Sequence, residues 1–153
     1  RKDGQTPYAA HPFRVRLIVR HVFGIDDPDL LAAALLHDTI EDTTTDFDDV
    51  EERFGARVAR WVAALTKDTR LPDADREAAY MGTLARSDPA VKVAKLADIF
   101  DNLTDSRHLS PAARSRSIER ARNYLAALET DLPEIAMRPM ALVRQLLEEV
   151  AES

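Results

Sequence analysis

The run Ala34-Leu35-Leu36-His37-Asp38-Thr39-Ile40-Glu41-Asp42-Thr43 is the stretch of this sequence best equipped for chemistry. Apolar Leu31, Ala33, Ala34, Leu35 and Leu36 lead straight into His37, Asp38, Glu41 and Asp42. Charged groups at the buried end of an apolar segment are expensive unless paired or bound to a metal. On a helix His37 and Glu41 share one face, and Asp38 and Asp42 stand one turn apart. A neighbouring His-Asp pair offers an imidazole nitrogen and a carboxylate oxygen to a single ion, a set suited to Mn²⁺, Fe²⁺, Co²⁺ or Zn²⁺. The plainer reading is a helix C-terminus with solvated acids. Carboxylates there oppose the helix dipole, however, and so want a compensating cation.

Two other places can complete the shell of such an ion. His11 precedes Pro12 at the entrance of the first helical segment, where a side chain can point into a pocket. In Lys95-Leu96-Ala97-Asp98-Ile99-Phe100-Asp101-Asn102-Leu103, the residues Asp98, Asn102 and Asp105 form a polar stripe beside Leu96, Phe100 and Leu103. Taken alone, His11 reads as a surface or capping histidine and Asp98 as a solvated acid. His21 falls near a helix end, where the dipole favours it. His108 lies in a polar connection, and Trp61 sits on an apolar face as a core residue.

The elements that must position these groups are helical throughout. The 153 residues suffice for one domain with a real core, and no segment shows strand alternation. Pro12 starts a helix through Phe13, Val15, Leu17, Ile18 and Val22, stopped by Gly24. Asp26 or Asp27 caps the next, with Pro28 in its first turn, running to about Asp42. Thr45 and Asp46 open a short helix broken at Gly55, and Ala56 to Thr66 carries Val58, Trp61, Val62 and Leu65 at helical spacing. A polar helix reaches Arg86 and another begins at Asp88-Pro89. Ser110-Pro111 starts the one that ends at Leu128. The last begins near Pro133 and should be interrupted or kinked at Pro139. The expected architecture is all-α, a single compact helical bundle over residues 1–153.

Composition narrows the classes. With 0 cysteines, a metal must take nitrogen and oxygen ligands, and a reducing cytoplasm suits the chain. No apolar run is long enough for a membrane span, and no signal-peptide pattern opens the chain. It starts at Arg1 without Met, so residues upstream are expected to be missing. A net charge of -6 argues against a general nucleic-acid binder. It leaves room for a small anionic substrate, because a metal and a few cations can reverse the sign within one pocket.

The order His11, then His37-Asp38, then Asp98 resembles the H…HD…D signature of the HD superfamily of metal-dependent phosphohydrolases. Arg1-Lys2-Asp3-Gly4-Gln5-Thr6-Pro7-Tyr8 before His11-Pro12, the His37 segment, Phe54-Gly55, Leu65-Thr66 and Lys95-Leu96-Ala97-Asp98 resemble the hydrolase domain of RelA/SpoT proteins, in particular the small alarmone hydrolases of the metazoan SpoT type. The resemblance covers residues 1 to about 105 well and the last two helices loosely. It implies removal of pyrophosphate from the 3′ position of (p)ppGpp with one Mn²⁺. His11, His37, Asp38 and Asp98 would be its ligands, and Glu41 and Asp42 the pair that activates and orients water. It also implies Arg1, Lys2, Lys95, Tyr8 and Asn102 near the nucleotide, and a family N-terminal helix absent from this chain.

The match departs at two positions. Where the family reads a basic residue and then His or Tyr, this chain has Ile99 and Asp101. A lost cation and a gained acid should weaken binding of a highly phosphorylated nucleotide. Two alternatives therefore stand beside the (p)ppGpp reading. One is hydrolysis of another nucleotide, a nucleoside monophosphate or the 2′-phosphate of NADPH. The other is a non-catalytic nucleotide-binding regulator, which the intact Glu41 and Asp42 argue against. Protein partners are not readable from the sequence.

Overall fold

The computed structural model describes residues 9–152, and no strand occurs among them. Helix α1 (Ala10–Leu17) passes into a π-helical turn, Ile18–Val22, marked by the bond from Phe23 N–H to the Ile18 carbonyl at 2.9 Å. The expected stop holds: Gly24 takes φ +76°, a left-handed conformation that glycine adopts without strain. The widening of the last turn was not foreseen.

Helix α2 (Pro28–Leu36) begins as its cap predicts, with Asp27 Oδ1 accepting from the Asp29 and Leu30 amides at 2.9 and 3.1 Å. It does not run to Asp42. His37 Nδ1 donates to the Ala34 carbonyl at 2.8 Å, and that carbonyl is the one the Asp38 amide would need to continue the helix. Asp38 takes φ -100° and ψ 0°, and the chain restarts as the short α3 (Thr39–Asp42). The Asp42 amide still bonds the Asp38 carbonyl at 2.9 Å, so that pair remains one turn apart. His37 lies just before this short helix.

Helix α4 (Phe47–Phe54) opens with a reciprocal capping box between Asp46 and Asp49, and Gly55 at φ +86° turns the chain into α5 (Ala56–Leu65). Then come α6 (Asp73–Ala85), α7 (Pro89–Ser106), α8 (Pro111–Glu129) and α9 (Glu134–Ala151). Pro139 does not interrupt α9. It forfeits one backbone bond near the start of the helix, and its ring is buried in the core.

Helix α7 is buried on every side from Val91 to Ile99, which marks it as the central helix of the bundle. Val91, Val93, Ala94, Leu96, Ala97, Ile99 and Leu103 are buried, with α1, α2, α5, α8 and α9 packed about them. Two lysines are buried on it as well. Lys92 Nζ donates to the carbonyls of Leu128 and Thr130, answering the last carbonyls of α8 and tying that helix to the centre. No helix among the described residues is long and apolar enough to cross a membrane.

Candidate metal centre and its cleft

Three chain-distant points meet on one side of α7. The first turn of α1 brings His11, the end of α2 brings His37, and α7 brings Asp98. Each of the three offers a ligand atom within 4.8 Å of the others, and all are buried. His11 Nε2 is 3.1 Å from Asp98 Oδ1, and His37 Nε2 is 3.7 Å from the same oxygen. Asp38 Oδ2 lies 3.1 Å from His37 Nε2 and 3.8 Å from His11 Nε2, with 29% of its side chain open to the cleft. Arg1, Lys2 and Tyr8 lie outside the described residues.

Both rings are turned the same way by their Nδ1 atoms. That of His37 donates to the Ala34 carbonyl, and that of His11 faces Asp101 Oδ2 at 2.6 Å. Each Nε2 is thereby directed at the carboxylates. His37 Nε2 is buried and meets hydrogen-bond geometry with no partner, an arrangement a cation completes. Two imidazoles and two carboxylates are a nitrogen-and-oxygen donor set that fits a divalent metal ion.

The electrostatics are those of a cation site. Burial pulls His37 down, yet the facing carboxylates of Asp38 and Asp98 outweigh it and raise its pKa to about 10. Burial likewise lowers His11, but Asp101 and Asp98 raise it on balance. Burial favours neutral Asp98, while the Lys95 charge and the two histidines hold it well below the usual carboxylate range. In the metal-free protein, protons on the histidines do part of the work of a cation.

Lys95 is buried rather than extended toward solvent. Its Nζ donates to Asp98 Oδ2 at 2.8 Å and lies 4.4 Å from the Tyr124 ring centre and 5.1 Å from that of Tyr80. Asn102 Nδ2 donates to Asp98 Oδ1 at 2.6 Å. Both residues therefore bear on Asp98. Glu41 and Asp42 are exposed at the cleft, and Glu41 Oε2 accepts the Lys67 amide at 3.1 Å.

The cleft encloses about 870 Å³, ample for a nucleotide. Its far wall is α8, which presents Ala113, Arg116, Ser117, Arg120 and Tyr124 at helical spacing. The sequence does not single this stripe out, because α8 carries arginines on several faces. Lys67 and His108 also line the cleft, so His108 is more than a connection. Trp61 is core as expected, its Nε1 donating to Asp88 Oδ2 at 2.9 Å. Asp101 does not face the substrate space: it is 2% exposed and both its oxygens are held by His11 and Arg14. The expected repulsion of phosphates by Asp101 is corrected accordingly. A second groove of about 640 Å³, between α8 and α9, holds none of the metal cluster.

A helical bundle with a His, His-Asp and Asp cluster at the foot of a cleft is the form of a metal-dependent phosphohydrolase. The HD domain family matches residues 1–138, and the chain belongs to that family. It is 45% identical over 116 residues to the mouse guanosine-3′,5′-bis(diphosphate) 3′-pyrophosphohydrolase MESH1, covering 75% of this chain and 65% of that protein. The human protein of the same name is 46% identical over 112 residues, covering 72% of this chain and 63% of its own length. The matched stretch thus spans a little under two thirds of these curated relatives. A solved structure of a metazoan SpoT ortholog, described as hydrolysing ppGpp, superposes with TM-score 0.79 at 31% identity, covering 93% of this chain and 83% of that one.

Proposed function

We propose that this chain is a Mn²⁺-dependent (p)ppGpp 3′-pyrophosphohydrolase, releasing pyrophosphate and leaving GDP or GTP. The observation that carries the reading is a single cleft with the His11, His37, Asp38 and Asp98 cluster at its foot. Glu41 and Asp42 stand at its edge and Arg116 and Arg120 on its opposite wall. The names of the relatives support the same substrate.

The residues would divide the work as follows. His11, His37, Asp38 and Asp98 would hold the ion, which when bound supplies Lewis-acid stabilisation of phosphoryl charge and lowers the pKa of a water. Glu41, fixed by the Lys67 amide, would take the proton from the attacking water, with Asp42 orienting it. Lys95 and Asn102 would hold Asp98 in place, Lys95 doing so from a buried position. Arg116, Arg120 and Lys67 would meet the nucleotide's phosphates, replacing the cation absent at Ile99. Arg1, Lys2 and Tyr8 remain proposed contacts of the nucleotide on the resemblance alone.

A second reading, hydrolysis of a phosphomonoester such as a nucleoside monophosphate or the 2′-phosphate of NADPH, is favoured by Ile99, which puts an apolar side chain in the cleft lining. Product analysis with Mn²⁺ decides between them, using ppGpp beside GMP, AMP and NADPH with EDTA controls. Pyrophosphate and GDP from ppGpp alone are expected. Inorganic phosphate from another of the four substrates would move the function to a relative. Metal binding with no turnover on any of them would favour a regulator.

A further inference from the structure

We infer that Asp101 is a positioning residue for the metal centre: held by Arg14, it fixes the ring of His11 so that Nε2 faces the ion. The inference rests on the metal-centre reading above. It concerns a position where the sequence departs from the family it resembles, so it is a property of this chain's own residues.

The geometry is a brace between α1 and α7. Asp101 Oδ2 is 2.6 Å from His11 Nδ1. Arg14 Nε donates to Asp101 Oδ1 at 2.6 Å, and an Arg14 terminal nitrogen to Oδ2 at 3.0 Å. The same guanidinium group reaches Asp105 Oδ2 at 3.2 Å. His11 and Arg14 are one turn apart on α1, as Asp101 and Asp105 are on α7, so the two helices are stitched over one turn of each. Asp101 is 2% exposed, so its charge is answered by protein groups, His11 and Arg14 among them, rather than by solvent.

An ion pair that merely joins two helices would not need a histidine at its end. Here the carboxylate takes the one ring nitrogen that points away from Asp98, and an ionised carboxylate can only accept there. The hydrogen is therefore placed on Nδ1, and the lone pair that binds metal is left at Nε2. A carboxylate behind a metal-binding imidazole orients the ring and raises its basicity, and losing such a partner typically weakens metal binding about 10- to 100-fold. His37 is set differently, by the neutral Ala34 carbonyl. The two ligands can thus be separated by mutation. The Arg14 guanidinium balances the Asp101 charge, as Lys95 balances that of Asp98.

The test is Mn²⁺ affinity by calorimetry on the wild type, His11→Ala, Asp101→Asn, Asp101→Ala and Arg14→Gln. It is joined by nitrogen–proton spectra of the histidine rings in the Zn²⁺-loaded protein. Asp101→Ala is expected to bind Mn²⁺ about 10- to 100-fold more weakly. Asp101→Asn, which keeps the shape but not the charge, should fall between. In both, the His11 ring signals should change while those of His37 stay. Affinity and His11 signals unchanged in Asp101→Asn and Asp101→Ala would overturn the inference and leave the metal centre intact. Metal binding unaffected by His11→Ala would overturn the metal centre and the inference with it. Should both Asp101 variants lose their helical circular dichroism, the half-exposed Arg14 carries the test: Arg14→Gln must bind Mn²⁺ more weakly with altered His11 signals, and wild-type behaviour there overturns the proposal.

Discussion

On the floor of the cleft Asp98, His11 and His37 are each fixed by a bond to a neighbouring group, whereas the α8 wall presents its charges on exposed side chains. Lys95 and Asn102 hold Asp98, Asp101 faces His11, and the Ala34 carbonyl holds His37. Arg116 and Arg120, by contrast, are exposed. The difference suits the two tasks. A metal demands fixed donor positions, and side chains already locked lose little freedom when it binds. A large anion can be met by mobile cations, whose attraction is long in range but weaker and screened by salt. The floor should therefore be sensitive to single atoms and the wall to total charge.

The largest effect should come from Asp38→Ala. This side chain is partly exposed, so the helices should persist while metal retention and turnover are lost together, as measured by metal analysis and product assay. Full metal-dependent turnover in that variant would sink the proposed centre. Glu41→Ala should keep the metal and lower kcat about 10²- to 10⁴-fold, the range for a general base. If the metal leaves as well, Glu41 belongs to the floor instead.

A pH titration of metal binding comes next. In the metal-free protein His37 is raised from 6.5 to about 10, so its charge stabilises that form fully below pH 6.5 and ceases to as pH rises through 10. A metal must displace that proton, so its apparent affinity should climb as pH rises from about 6.5 toward about 10, by up to about tenfold per unit for each proton released. Calorimetry in buffers of different ionisation enthalpy counts the protons; none released would contradict the coupling.

On the wall, Arg120→Ala should raise KM about tenfold with kcat nearly kept, since loss of a charged hydrogen bond is worth about 1.5–3 kcal/mol at most. The salt dependence of KM should flatten with it. An unchanged KM would remove α8 from substrate binding. The smallest effect on turnover belongs to Lys92→Met. Although Lys92 lies one turn from Lys95 and is as deeply buried, it caps α8 rather than facing Asp98. Stability should fall by about 1–3 kcal/mol in denaturant titration, with the rate per folded molecule retained.

Much of this was legible in the sequence. The helix starts at Pro28, Phe47 and Pro111 follow from Asp27, Asp46 and Ser110, whose side chains cap in the places their types predict. The apolar spacing of α5 foretold which of its faces is buried, whereas α7 is buried on every side from Val91 to Ile99, its charged residues included. The His37-Asp38 part of the floor was legible because such residue types are rare at the end of an apolar segment, where burying them carries a cost that a partner or a metal removes; His11 and Asp98 carried no such local signal. Where the local reading failed, a side-chain bond decided. The helix predicted to reach Asp42 stops at Leu36 because the His37 ring takes the carbonyl that would continue it, and α9 runs through Pro139 without the interruption that was one of two expected outcomes there.

By itself, then, the sequence determined an all-helical chain, which rests on short-range periodicity, and a His37-Asp38 segment suited to a nitrogen-and-oxygen metal site, which rests on residue type; His11 and Asp98 joined it through the resemblance to a family. Tertiary structure alone decided that Asp101 turns inward to His11 and Arg14, that Lys95 is buried against Asp98, and that α8 brings Arg116 and Arg120 across the cleft. Each of those depends on how helices distant in sequence pack against α7, and the direction in which a charged side chain points is set by the partner that packing supplies.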